Sequence, residues 1–347
     1  MKLQTALIHL AACAALFGNL ACSGDATEDT EHDAGGSLGV EIVQASGEDF
    51  GPAFESARSL GVQFGQVFIP WDDIESSPGT FASETLIDAS SFYASQSLPL
   101  LLTIAPIDTN NLRVPKDLQE KAFASSEMKD RFHALLDFVF SQIGDVELVA
   151  IAIGNEVDGY LGEDTARWSD YESFLRDAVS YIHSKRPHLR VGTVFGFDGL
   201  LSARSQRLLA VSDVAMTTYY PLGPDFSVRL LSDVPRDFDA MTAAAGGLKL
   251  IVTECGFPSA PVVGSSERLQ SDFVSAVLDA WDFHGEQIPH LSYFSLTDYA
   301  PAFVSELGGY YGIRDPKFLG YLGSLGLRRS DGTVKPAFQT LRAARIQ

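Results

Sequence analysis

Short apolar runs alternate with amphipathic stretches along this 347-residue chain, and that alternation is the strongest constraint on its fold. From Leu38 onward eight apolar runs follow one another, at 38–44, 63–69, 98–104, 146–153, 189–194, 214–219, 248–253 and 290–295. Helix-patterned stretches separate them, at 49–60, 83–95, 126–143, 168–186, 202–210, 238–245 and 266–284, with a last one at 335–345. The runs are rich in Val, Ile and Leu, as expected of parallel strands buried on both faces. Eight strand–helix pairs from Ser37 to the C-terminus predict a single-domain α/β fold, a (β/α)8 or TIM barrel, over an open doubly wound sheet. No linker divides residues 37–347.

In such a barrel, chemistry gathers where the strands end. The fourth run stops at Asn155-Glu156 and the seventh at Glu254. Two carboxyl groups across one cleft can cleave a glycosidic bond if one is protonated and the other ionised. Aromatic and polar side chains at other strand ends are candidate sugar contacts: Trp71 after the second run, Tyr219 and Tyr220 at the sixth, Phe294 and Asp298 at the eighth. Side chains alternate along a strand, so one of the two tyrosines faces the site and the other packs outward. Tyr219 is the one expected beside Glu254. Asn155 is expected to hold Glu156 or a sugar hydroxyl. The stretches 105–124 and 222–234 are read as long loops at the barrel mouth.

The remaining composition narrows the alternatives. A formal charge of −20 argues against nucleic acid, whose phosphates need clustered Lys and Arg. No Cys/His spacing suits a metal and no nucleotide-binding loop is present, so neither metal nor cofactor is expected. Beyond Cys22 the only cysteine is Cys255, which excludes a disulfide within the barrel. Without a His-centred triad motif, Cys255 reads as a small buried strand-end residue. No Schiff-base lysine sits at a strand end, since Lys249 begins its strand.

Residues 1–21 read as a signal peptide, with a basic start, an apolar run and Ala21 before Cys22. Cys22 resembles a bacterial lipoprotein modification site. Residues 22–36 are small and acidic, with Asp25, Glu28, Asp29, Glu31 and Asp33, a composition expected of a disordered tether. A monomer anchored in the cell envelope through Cys22, or a secreted one, is the expectation. A lipid would then be its sole membrane contact.

Several segments together resemble the clan A glycoside hydrolases. Glu156 within Ile153-Gly-Asn-Glu-Val157 falls on the acid/base after strand four of that clan, and Glu254 on its nucleophile after strand seven. Trp71-Asp-Asp-Ile-Glu75-Ser-Ser-Pro78-Gly79-Thr-Phe81 looks like a segment that follows strand two in several of its families. The Asn155-Glu156 stretch and Thr218-Tyr-Tyr-Pro221 are similar to endo-β-galactanases, and Glu254-Cys-Gly-Phe-Pro-Ser259 to β-1,3-glucanases. Gly332-Thr-Val-Lys335-Pro336-Ala337 looks like the entry to the last helix. Two positions depart: Phe68 stands where an arginine is usual, and Phe294 where a tryptophan is. The resemblance implies a retaining O-glycosyl hydrolase acting on a β-linked oligo- or polysaccharide, endo-acting, without a cofactor. The rival reading is a glycan-binding surface lipoprotein on a barrel that has lost catalysis.

Overall fold

The computed structural model describes residues 36–144 and 146–345. The expected signal peptide, Cys22 and all of the tether but Gly36 lie outside the described residues.

Eight parallel strands form the barrel: β1 (Ser37–Val40), β2 (Gly65–Pro70), β3 (Leu100–Asp108), β4 (Leu148–Asn155), β5 (Val191–Gly192 and Val194–Phe195), β6 (Ala215–Tyr219), β7 (Leu250–Cys255) and β8 (His290–Tyr293). Hydrogen bonding runs β1–β8–β7–β6–β5 along one arc and β2–β3–β4–β5 along the other. The arcs meet at β5, which is interrupted at Thr193. A parallel bridge between Gly39 and Phe64 joins β1 to β2 and completes the ring.

Helices cover the outside, among them Ser126–Gln142, Thr165–Lys185, Glu267–Phe283 and Pro336–Arg345. Their starts are set locally. Ser125 and Ser266 each accept a hydrogen bond from the backbone N–H three residues on, and Asp164 accepts from Ala166 and Arg167. Each cap satisfies donors that the first helical turn cannot pair.

Two apolar layers result. The larger lies between strands and helices and holds Phe132, Trp168, Phe174 and Trp281. A separate cluster of Phe64, Leu101, Ala150, Ala152, Val194, Met216 and Ile251 fills the barrel interior, so the barrel is a packed core and not a pore. The bottom of the barrel is also where the chain's two described ends meet. Arg345 Nη2 donates to the Gly36 carbonyl at 2.9 Å, and its guanidinium lies 4.9 Å from the Trp281 ring centre.

The segment from Trp71 to Phe81 is structural. Trp71 is fully buried, packs edge-on against Phe132 and donates from Nε1 to Glu75 Oε2 at 2.8 Å. Gly79 N donates to Glu75 Oε1 at 2.6 Å, and the Arg131 guanidinium closes on the same oxygen. Phe81 stacks on Phe138. Trp71 is therefore corrected from sugar platform to core residue: the Glu75 carboxylate pulls its indole N–H inward. Glu75→Ala leaves a buried indole N–H without its acceptor and removes one of the two carboxylates that pair with the Arg131 guanidinium. The expected loss is roughly 3 kcal/mol of unfolding free energy. Urea denaturation measures it, and a loss below about 1 kcal/mol, the scale of an exposed pair, contradicts this role.

Two other expectations change. Strand β3 does not stop at Ile104 but runs on through Asp108, and Asn111–Leu112 turns back to pair with it. Pro106 is tolerated there because it needs only to accept, and it does so from Arg113 N. The connection from β8 to the last helix, left unassigned in the sequence, carries two helices, Pro301–Tyr311 and Pro316–Leu322. Each has proline at its first position, where a missing N–H costs nothing. Their side chains Val304, Leu307, Phe318 and Leu322 form a third cluster with Tyr299, which takes in Val43, Phe226 and Phe294 from the barrel mouth. They make a roof over the strand ends.

Candidate active site

Beneath that roof lies a cavity of about 450 Å³, within the range of small-ligand sites. Asn155, Glu156, Tyr220, Glu254 and Phe294 line it, with Glu41 just after β1, Gln66 and Phe68 from β2, and Asp108 and Thr109 from the β3 hairpin. Its roof side is Tyr299, Leu307, Tyr311, Phe318 and Tyr321.

Glu156 reaches the mouth through two residues with left-handed backbone. Gly154 has φ +86° and Glu156 φ +43°. A Cβ on Gly154 would lie 2.5 Å from Val157 Cγ1 and 2.6 Å from the Tyr171 hydroxyl, so only glycine fits. Positive φ at Glu156 is unfavourable for a residue with a side chain, a form of strain found at functional sites. The carboxyl group is held at both oxygens: Thr218 Oγ1 donates to Oε1 at 2.6 Å and Thr109 Oγ1 to Oε2 at 2.9 Å. Burial raises its pKa, the two threonine hydroxyls oppose that, and Asp108 adds to it.

Glu254 stands opposite Thr218 in the β6–β7 ladder, where the register shifts after Thr217. Thr218 therefore links the acids: its backbone pairs with one and its hydroxyl bonds the other. Tyr220 donates its hydroxyl to Glu254 Oε2 at 2.5 Å. Burial, then the Glu254 charge, keep that phenol protonated, so it serves as a fixed donor favouring an ionised Glu254. Burial and the facing Glu156 push Glu254 the other way, upward. Tyr220→Phe removes one hydrogen bond to a charged group, about 1.5–3 kcal/mol. A ten- to hundredfold fall in kcat/KM with an unchanged fold is expected on a cleavable substrate.

The other predicted residues divide. Tyr219 is corrected: it is fully buried and points outward between strand and helix, with its hydroxyl on Asp237 at 3.0 Å. The inward faces of β6 are Met216, Thr218 and Tyr220, so alternation sends Tyr219 away. Asp298 is also corrected. It accepts from Lys335 Nζ at 2.7 Å and Gly326 N at 2.8 Å, fastening the post-β8 chain to the last helix outside the cavity. Asn155 lines the cavity and donates from Nδ2 to Asp108 at 3.2 Å. Phe294 lines it too, with a cis peptide bond to Ser295. Phe68 places an apolar ring on the wall. Cys255 is fully buried, and burial pushes its thiol up, leaving no reactive thiolate.

Sequence reading missed the support around Asn155. Tyr310 donates to Asp108 Oδ2 at 2.6 Å, and Arg113 donates to the Tyr310 hydroxyl at 3.0 Å. Arg113 is itself held by Asp72 at 2.9 Å and Asp73 at 3.0 Å. This chain ties the segment after β2 and the ends of β3 and β4 to the roof helix. Among the described residues no group of three His, Cys, Asp or Glu is placed to hold a metal ion, and no helix is long and apolar enough to cross a membrane.

No family model and no curated protein matches the sequence. Solved structures do match its fold. An exo-β-1,4-mannosidase from Opitutaceae bacterium strain TAV5 superposes over 90% of this chain with a TM-score of 0.70 at 16% identity, and the match spans 59% of the mannosidase. GH5_18 from Streptomyces cattleya in complex with GlcNAc matches over 90% of this chain and 80% of its own, with a TM-score of 0.69 and 14% identity. A family 39 glycoside hydrolase from the gut symbiont Bacteroides cellulosilyticus WH2 covers 89% of this chain and 63% of its own, at 0.63 and 14%. The chain thus has the TIM-barrel fold of these enzymes.

Proposed function

We propose that this chain is a retaining β-glycosidase in which Glu254 is the nucleophile and Glu156 the acid/base. The observation that carries the reading is the meeting of two half-buried carboxyl groups, from the ends of β4 and β7, in one cavity. Burial raises the pKa of both carboxyl groups, but their hydrogen-bond partners differ. Glu254 receives a phenolic O–H from Tyr220, which favours its charge. Glu156 is hydrogen-bonded by two threonine hydroxyls, which can donate to a carboxylate or accept from a carboxylic acid.

Glu254 attacks the anomeric carbon as the bond to the leaving oxygen breaks, and the Glu156 proton goes to that oxygen. Glu156, now ionised, takes a proton from water. The resulting hydroxide adds to the same carbon and displaces Glu254. Net, one glycosidic bond and one water become two hydroxyl ends. No cofactor takes part. The folds matched above belong to glycoside hydrolases, which supports a carbohydrate substrate. Resemblance to endo-β-galactanases and β-1,3-glucanases rests on short segments alone.

The test is incubation with a panel of 2-deoxy-2-fluoro β-glycosides carrying an activated leaving group, followed by peptide mass mapping. The expected result is one sugar attached to Glu254; an adduct elsewhere, or none across the panel, removes the reading. A second reading is a glycan-binding barrel without turnover. Phe68 favours it, standing where the resembled enzymes carry an arginine that supports the nucleophile. That reading expects binding without any adduct.

We also propose that Cys22 carries a lipid, which would hold a monomer at the bacterial cell envelope. The Cys22→Ser protein is then expected in the soluble fraction after cell breakage; unchanged membrane association sinks the assignment.

A further inference from the structure

The cavity has a second lobe of about 260 Å³, and the two lobes touch different members of the acid pair. Glu156 lines both. Glu254 lines only the larger, roofed lobe, while Asp158, Asp198 and Arg229 line only the smaller one. On the glycosidase reading, which this inference rests on, that difference gives the site a direction. A nucleophile attacks carbon from the side opposite the leaving group, and the acid must touch the leaving oxygen. The lobe that contains the acid but not the nucleophile therefore receives the leaving group, and the roofed lobe receives the sugar being attacked.

The two lobes differ in what surrounds them. The smaller is rimmed by Gly159 and Asp198, both exposed, and opens to solvent. The larger lies beneath the roof helices and is itself partly open to solvent. Its roof is fastened across the mouth in two directions. Toward β3, Tyr310 bonds Asp108 and Arg113. Toward the loop after β6, Phe318 packs on Phe226 with ring centres 5.0 Å apart, and Lys317 pairs with Asp225 at 2.5 Å. These two ties place the roof over the lobe that holds the attacked sugar.

We infer that the protein removes sugars from the non-reducing end of its substrate: the roofed lobe takes the terminal sugar and the open lobe takes the rest of the chain. This reverses the endo action expected from the sequence.

The test uses β-1,4-mannotetraose, β-1,4-galactotetraose, cellotetraose and laminaritetraose, each in three forms: free, tagged at the reducing end with 2-aminobenzamide, and blocked at the non-reducing end by a bulky acetal. Binding to Glu254→Gln is measured by calorimetry, and products of the wild-type protein are followed by chromatography. Blocking the non-reducing end is expected to weaken binding at least tenfold. The reducing-end tag should change it less than twofold, and the first cleavage should release an untagged monosaccharide. Equal binding of blocked and free forms, or early products from the middle of the chain, overturns the inference. End-selective binding without cleavage upholds the pocket's direction while removing the glycosidase reading. A panel in which nothing binds removes both.

Discussion

Glu254→Gln is expected to lower kcat/KM by roughly 10⁴–10⁶-fold, the scale seen when a covalent nucleophile is removed. An amide fits the space and still accepts from Tyr220, so folding and substrate affinity should hold while the chemical step disappears. Chemical rescue tells the nucleophile from any other essential acid. In Glu254→Ala the face of the anomeric carbon that Glu254 occupied is open. Azide should enter there, form its bond to carbon as the leaving group departs, and give a glycosyl azide of inverted configuration. Turnover by Glu254→Gln within tenfold of wild type, or an azide product of retained configuration, would falsify the assignment. Circular dichroism with matching thermal melting excludes a trivial loss of fold.

Glu156→Gln should show a different pattern, because the first and second steps need an acid to different degrees. On substrates whose leaving alcohol is a poor one, kcat/KM is expected to fall by about 10²–10⁴-fold, the usual worth of a general acid. Aryl glycosides with an acidic phenol leave without help, so their glycosyl-enzyme should form at near wild-type rates and then accumulate. Added azide should discharge it to a product of retained configuration. The pH profile gives a further sign. Burial holds the Glu156 proton above the ordinary 4.5 of a glutamate, so activity in the wild type persists until pH rises through that elevated value and then falls as the acid ionises. The variant has no proton to lose, so its alkaline limb should vanish while the acid limb, set by Glu254, stays. An unchanged alkaline limb places the acid elsewhere.

The barrel was legible because parallel strands covered by helices are apolar on both faces and therefore stand out as runs. The ends of β4 and β7 were legible for a related reason: a carboxylate that terminates such a run has no packing role to explain it. Tyr219 and Tyr220 were not separable. The segment Val214-Ala-Met-Thr-Thr-Tyr-Tyr220 has no polar–apolar alternation, so nothing in it says which parity faces inward. The large Met216 fills the barrel interior, which fixes Tyr220 as the inward ring. Trp71 and Asp298 were misplaced for another reason. Both follow strands, as site residues do, but Glu75 and Lys335 claim their polar atoms, and those partners lie 4 and 37 residues away. The roof was missed outright. Its two helices begin at Pro301 and Pro316, in a connection given no element in the sequence.

The contact between Arg345 and Gly36 fixes where the described ends lie relative to the mouth. All eight strands run the same way, so β1 is entered from the face opposite the one where Glu156 and Glu254 emerge. Both described ends, Gly36 and Arg345, therefore lie on the face of the barrel away from the cavity.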